Sequence, residues 1–521
     1  MMKKGTVRVL AAVMGVMMLA GCGNHNTNAV EKSQADTEED RESAVFADTQ
    51  CPTSLDPAES WNSWYTSRYG ITETLYKLDE NLEAQPFLAK SCEMKDETTW
   101  VITLRDDVTY QNGEPVTAKS VKACWERTMD VNARMNELLF IESMTADGQI
   151  LTVTTSEPVP AFVNGLSEPL TGIYDVTEPD TIAQQPIGTG PFKAVSYEVK
   201  KQAKVERYDG YWGGEPKLKE VTFNVIADTN SLAMAQQTGE SDLSVSIPGT
   251  SLELFSDTSR YHVDGVPGSR GQVIFMNYEN EFLKDINVRK ALSMSIDKES
   301  YASVLNKGAS VPTRGLYPDF MAFGADDREG YDYDLEGAGK LLDEAGYRDT
   351  DGDGILEKDG KPLSLRIVTY STKAELGMYC EEMASKLKEI GIDLQVEIYE
   401  SVAEQQENGD FDLMMISFTM TPTGDPLYFA NIAFKTDGSS NYGHYSNAGV
   451  DAVIEQMNRE FDAEKRVELA KEVQRLILED AGYIVVGHSK YIYVMGSSVK
   501  GLKTNPSEYY LLDANTTIEE S

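Results

Sequence analysis

Leu363-Ser-Leu-Arg-Ile-Val-Thr369 alternates apolar and polar residues as a half-buried strand does, and Leu394-Gln-Val-Glu-Ile398 takes up the same pattern further on. Between them Leu376, Cys380, Met383, Leu387 and Ile390 recur at helical spacing, so one helix ending near Gly391 joins the two strands. Strand, helix, strand in that order predicts a right-handed βαβ unit. Just upstream, Leu335, Ala338, Leu341, Leu342 and Ala345 form a second helical stripe, with Asp334 as its N-cap and Gly346 as its stop. A lobe of parallel sheet with covering helices follows. Elements of both types alternate elsewhere, so the fold class is α/β. The stretch 71–188 is richer in strands and turns. Within it, TTWVITLRDDVTYQNGEP (98–115) reads as two strands joined through acidic and Asn-Gly turns.

The chain has 521 residues, beyond the roughly 250 to 300 at which a single hydrophobic core stops growing, so at least two lobes are expected. Its formal charge of −38 argues against nucleic-acid binding, because phosphates would be repelled. Cys51, Cys92, Cys124 and Cys380 contain no CxxC pair, which disfavours structural zinc. Cys124, beside Val121, Trp125 and Met129, and Cys380, on its helical stripe, read as core residues. Cys51 and Cys92 are the two left that could pair. No repeat of solenoid or propeller length is visible.

The N-terminus reads as an address. Lys3, Lys4 and Arg8 precede an apolar run, Val9 to Ala20, too short to span a bilayer. Leu19-Ala-Gly-Cys22 resembles the bacterial lipobox, which implies cleavage after residue 21 and diacylation of Cys22, two chains sufficing for a stable membrane anchor. The alternative is an ordinary signal peptide leaving a free thiol. Removing residues 1–21 leaves 500 residues, and losing the three leader cations takes −38 to −41. Residues 22–44 are polar and weakly hydrophobic and read as a disordered tether spanning about 25 Å.

Catalytic signatures are missing from the sequence. His25, His262, His444 and His488 lie in no HExxH or comparable frame, and no GxSxG occurs. In so acidic a chain, paired carboxylates arise by chance. Asp349, Asp351, Asp353, Gly354 and Glu357 match positions 1, 3, 5, 6 and 9 of a calcium loop, but the twelfth position is Gly360, so the bidentate carboxylate is missing and calcium binding would be weak. The alternative is an acidic turn before a strand.

Several separated motifs occur in one order: Leu55-Asp-Pro57, Pro86-Phe-Leu-Ala89, Thr103-Leu-Arg-Asp-Asp-Val108 with Asn112-Gly-Glu-Pro-Val-Thr-Ala118, Gly188-Thr-Gly-Pro191, Tyr211-Trp-Gly213, Gly239-Glu-Ser-Asp242 and Val288-Arg-Lys-Ala-Leu292. Together they resemble the large solute-binding proteins of peptide and nickel ABC importers, extracellular solute-binding protein family 5. The resemblance implies a two-lobed, periplasmic-binding-protein type II-like clamshell with a subdomain inserted in the first lobe. Lobe I is expected over 45–70, 189–265 and 489–521, the insertion over 71–188 and lobe II over 266–488. It also implies a monomer, anchored outside the cell membrane, that captures cargo by hinge closure without chemical turnover and passes it to a permease driven by ATPase subunits. No cofactor is required. The competing readings are a lipid-anchored hydrolase and a receptor presenting peptides to a signalling partner. Most of the motifs have structural readings: Gly188 and Gly190 as permissive backbone, Tyr211 and Trp212 as buried aromatic area.

Two cargo classes are implied, an oligopeptide or dipeptide and a nickel chelate, with a slight lean to the chelate. In the peptide binders, an aspartate after the strand near Ile416-Ser-Phe-Thr419 pairs with the peptide ammonium; the matching position here is Pro422, leaving Asp425 as a substitute. The segments RDDV…NGEP and Lys219-Glu-Val-Thr-Phe-Asn-Val-Ile226, followed by Asp228, are nearer the nickel branch. Arg127 matches one arginine by which that branch grips its chelate, whereas no arginine stands near Pro169-Leu170, where a second is expected. Trp64 and Tyr65, with Arg68 nearby, match cleft-lining positions. Phe418 and Thr419 end a strand at the expected cleft edge, and His444 is a candidate metal contact. His488, on an apolar strand, reads as a core histidine.

Overall fold

The structure, a computed structural model, describes residues 41–324 and 330–519. The leader, Cys22 and most of the expected tether lie outside the described residues. Within the stretch expected to be tether, the chain has already entered the fold: Arg41 bridges to Ile518, and the strand Ser43–Asp48 pairs in parallel with Glu220–Val225 from Ser43 onward.

The βαβ unit forms where its alternation placed it. Ser364–Tyr370 and Asp393–Tyr399 run parallel from Ser364 opposite Asp393 to Tyr370 opposite Tyr399. The intervening helix, Ala374–Glu389, buries Leu376, Cys380, Met383 and Leu387. Each such apolar side chain removed from water contributes about 1.5–3 kcal/mol. The second stripe is the helix Leu335–Glu344, whose first turn is capped by the Asp334 carboxylate accepting from Gly337 N–H.

The sheet they belong to is larger and more mixed than expected. In spatial order its strands are Asp393–Tyr399, Ser364–Tyr370, Leu413–Thr419, Tyr261–Met276, Ile484–Gly496, Leu243–Ser244, Ser43–Asp48, Glu220–Val225, Gln202–Arg207 and Phe192–Glu198, with Ser310–Pro312 pairing alongside Ile484–Gly496. Leu413–Thr419 extends the parallel set, but Tyr261–Met276 lies antiparallel to it. The parallel expectation fails here because Tyr261–Met276 and Ile484–Gly496 are an outgoing and a returning crossing, side by side and opposed.

These two strands join the halves of the molecule. Their pairing runs from Tyr261 opposite Gly496 to Ile274 opposite Ile484, and its register shifts between Pro267 and Gly271 and again between Gln272 and Val273. On one side of the shift a core forms around Phe46, Phe192, Val221 and Leu243; on the other, around Ile274, Leu292, Leu376 and Cys380. A separate four-stranded antiparallel sheet, in the order Ala89–Asp96, Thr99–Leu104, Ile150–Thr155 and Ile141–Asp147, packs a third core of Trp100, Ile102, Val121, Cys124 and Trp125. Only the first of the two strands read in 98–115 belongs to it. The rest is a narrow loop around Asn112-Gly113, closed by Tyr110 N–H to Glu114 O and Val116 N–H to Val108 O. All four described cysteines are free, Cys124 and Cys380 within cores.

The motif residues hold these parts together. A Cβ on Gly188 would stand 1.9 Å from Ile71 O and one on Gly190 2.3 Å from Gly70 O, so close approach of backbones, not permissive dihedral angles, requires both glycines. Buried Glu73 accepts from Thr189 Oγ1 (3.0 Å), Tyr211 Oη (2.6 Å) and Trp212 Nε1 (3.0 Å). Tyr211 and Trp212 are therefore donors to an internal carboxylate rather than plain apolar area. Burial lifts that carboxyl to about 7 despite the three donors.

Candidate functional site: a cleft at the strand crossing

A cavity of about 900 Å³ opens beside the register shift, within the size range of small-ligand sites. The helix Asn62–Arg68 forms one wall; its first residue is fixed by Thr53 N–H donating to Asn62 Oδ1 (3.0 Å). Trp64 is buried and donates Nε1–H to Glu168 Oε1 (2.8 Å), while Trp61, 46% exposed, meets it edge-on at 4.9 Å. The Arg134 guanidinium stacks 3.4 Å from the Trp61 ring centre and pairs with Glu168 at 3.0 Å. Tyr65 and Arg68 follow on the same helix and line the cavity.

The opposite wall is the end of Leu413–Thr419 and the loop after it, where Phe418, Thr419 and Pro422 face the cavity. Arg270 stands at the crossing, opposite Thr419 in register. Glu508, from the last connection of the chain, ties the walls together: Oε2 accepts from Arg68 Nη2 (2.7 Å), and Oε1 from Arg270 Nε (3.1 Å), Arg270 Nη2 and Thr419 Oγ1 (3.1 Å). Burial alone would raise this carboxyl, but the Arg270 and Arg68 guanidiniums outweigh it and hold it at about 2. Asn164 Nδ2 donates to Thr423 O (3.2 Å), and a Cβ on Gly424 would lie 1.9 Å from Leu82 O, so the sides meet closely at one edge.

Of the residues singled out in the sequence, Trp64, Tyr65, Phe418 and Thr419 line this cavity together. Arg127, Asp425 and His444 are placed elsewhere. Arg127 projects from the helix Ala118–Val131 onto buried Asp56 (Nη1 to Oδ1, 2.9 Å) and Tyr174 Oη (2.8 Å), so an internal acid uses its charge. Asp425 is buried against Arg466, and His444 is exposed, with a left-handed backbone (φ 59°), two residues beyond the cavity-lining Tyr442. Asp349, Asp351, Asp353 and Glu357 do converge on a surface loop, with ligand atoms within 4.8 Å of one another, and could hold a cation apart from the cleft. Arg134, Arg270 and Glu508 were not singled out in the sequence. Arg270 had one signal: it is the charge that interrupts the run from Pro267-Gly268 into the apolar strand.

Two halves joined by crossing strands, with an aromatic and charged cleft at the crossing, define a ligand-capturing clamshell. The model of bacterial extracellular solute-binding proteins, family 5 (Middle), matches residues 83–441, and the chain belongs to this family, the extracytoplasmic binding proteins of ABC transporters. The nickel-binding protein NikA of Staphylococcus aureus is 27% identical over 513 residues, covering 98% of this chain and 99% of that protein. The dipeptide-binding protein DppE of Bacillus subtilis is 26% identical over 528 residues, covering 94% and 95%. Among solved structures, S. aureus NikA in complex with Ni(L-His)2 superposes with a TM-score of 0.81 at 27% identity, covering 92% of this chain and 100% of that one. A nickel ABC transporter protein from Bacillus halodurans does so with a TM-score of 0.76 at 30% identity and the same coverage. No helix among the described residues is long and apolar enough to cross a membrane.

Proposed function

We propose that the cleft captures a nickel ion wrapped in small amino-acid-type chelators and releases it, unchanged, to a membrane permease powered by ATPase subunits. The observation that carries this reading is the fate of the acids around the end of the strand Leu413–Thr419, where the peptide binders place theirs. Peptide capture needs a carboxylate for the α-ammonium, and a buried ammonium without one would lose several kcal/mol. Pro422 stands at the position expected for that acid, Asp425 is engaged by Arg466, and Glu508 by two arginines. The rings of Trp61, Trp64, Tyr65 and Phe418 line the cavity together with the acid-paired guanidiniums of Arg68, Arg134 and Arg270, a set suited to the flat face of a metal chelate; Glu137, Glu375 and Glu400 line it as well. Among the described residues lining the cavity there is no histidine, so the metal would arrive with its coordination already filled. The nickel-binding relatives named above, one of them in complex with Ni(L-His)2, support the same class, whereas DppE is a dipeptide-binding protein.

The chain is proposed to act at the outer face of the membrane, held by acyl chains on Cys22, with no turnover of its cargo. Native mass spectrometry with metal analysis of protein from its own host tests the cargo, and the mass of the N-terminal peptide tests the anchor. Nickel retained with its chelator, and a melting temperature raised by Ni(L-His)2, are expected. Stabilisation by short peptides and not by nickel complexes would overturn the assignment.

A further inference from the structure

Three guanidiniums and three carboxylates make up the ion pairs at the cleft. Arg68 pairs with Glu508 at 2.7 Å and stands 3.9 Å from Asp48, Arg270 pairs with Glu508, and Arg134 with Glu168 at 3.0 Å; none of these six side chains is more than 21% exposed. Their sum is zero. The other charged residues lining the cavity, Glu137, Lys373, Glu375, Glu400 and Lys490, are of both signs. A chain of formal charge −38 thus surrounds a cleft whose ion-paired charges cancel.

Glu508 supplies one of the two negative charges that balance Arg68 and Arg270, and Asp48, 3.9 Å from Arg68, the other. Two neighbouring guanidiniums in a half-buried site are a receptor for a carboxylate, because charge-assisted hydrogen bonds to both oxygens are strong. Here the receptor is filled from within. Arg270 spends Nε and Nη2 on Glu508 Oε1 and Nη1 on Ser417 O (3.2 Å), leaving no donor nitrogen unused. Arg68 gives Nη2 to the Glu508 carboxylate and Nε to its main-chain oxygen (2.6 Å).

We propose that Glu508 determines specificity, serving as a built-in carboxylate that occupies the Arg68 and Arg270 pair and so selects cargo of zero net charge. The inference rests on the reading of the cleft as a chelate site and adds the charge of what enters it. Closing the lobes takes cargo out of water, and an unbalanced charge there is costly. Nickel held by two singly deprotonated amino acids carries none, whereas a one-to-one nickel citrate complex is an anion.

The test compares Ni(L-His)2 with nickel citrate by calorimetry on wild type and Glu508→Gln, and measures the melting temperature of Glu508→Ala against acetate concentration. Wild type is expected to favour the neutral complex by about tenfold or more, and Glu508→Gln to move that ratio toward citrate by a similar factor. Acetate should raise the melting temperature of Glu508→Ala, filling the vacated place, and leave wild type unmoved. A wild type that binds both complexes equally, or a folded Glu508→Gln with an unchanged ratio, would overturn the inference while leaving the chelate reading intact. If neither complex binds wild type, the chelate reading fails, and the acetate response alone decides whether Glu508 fills an anion site.

Discussion

Arg466 Nη2 lies 2.9 Å from Asp425 Oδ2, and both side chains are less than one-tenth exposed. Asp425 also accepts from Leu427 N–H at 2.9 Å, so its carboxylate is engaged within the loop after the strand. Removing one partner of such a pair strands the other's charge. Asp425→Asn is expected to lower unfolding free energy by about 3–5 kcal/mol in chemical denaturation. The affinity of the folded fraction for its cargo should change by no more than about threefold. A selective loss of affinity with stability intact would make Asp425 a ligand residue after all.

Trp61 offers the opposite combination. It is 46% exposed, stacked by Arg134 and set against Trp64. Trp61→Ala should therefore shift stability by no more than about 1 kcal/mol. Its expected effect is on binding, a loss of about tenfold or more in calorimetric affinity for Ni(L-His)2 as the ring that would cover the cargo is removed. Unchanged affinity would place the cargo away from this wall.

Gly188 and Gly339 separate two roles of glycine. A methyl group at Gly188 would overlap Ile71 O at 1.9 Å, where main chain meets main chain and neither can yield. At Gly339, inside the helix Leu335–Glu344, it would meet only Ile390 side-chain atoms at 3.6 Å. Gly188→Ala is expected to destabilise by about 3 kcal/mol or to prevent folding. Gly339→Ala should stabilise by about 0.5–1 kcal/mol, both read from thermal unfolding.

The elements of the fold were legible where their signal is local. Alternation over a few residues marked Ser364–Tyr370 and Asp393–Tyr399, and a 3.6-residue stripe marked the helix through Cys380. The mixed sheet was not, because the strand Tyr261–Met276 contains Pro267 and three glycines and shows no clean alternation; its direction is set by the returning strand Ile484–Gly496. The cleft was legible only in part. Trp64, Tyr65, Phe418 and Thr419 could be placed by motif, but Arg68, Arg270 and Glu508 are neighbours only because the last connection passes the crossing. Arg127 lies off the buried stripe of Val121, Cys124, Trp125 and Thr128, and helical spacing says nothing of Asp56 waiting on another segment.

Glu73 and Glu508 predict opposite responses to pH. The Glu73 carboxyl, ordinarily near 4.5, is raised by burial to about 7 in the folded chain. Between those values the unfolded chain has released this proton and the folded chain keeps it, so stability contributed at Glu73 is present below 4.5 and is lost as pH rises through 7. Glu508 is held at about 2 against an ordinary 4.5, so its contribution is present above 4.5 and is lost as pH falls toward 2. Each shift corresponds to about 3 kcal/mol. Urea denaturation across pH, taken as the difference between wild type and Glu73→Gln, should therefore slope against wild type between about 4.5 and 7, because glutamine cannot ionise. The difference between wild type and Glu508→Gln should be flat there and shrink between about 4.5 and 2. Parallel curves for wild type and Glu73→Gln would mean that Thr189, Tyr211 and Trp212 stabilise the Glu73 carboxylate enough to cancel the effect of burial.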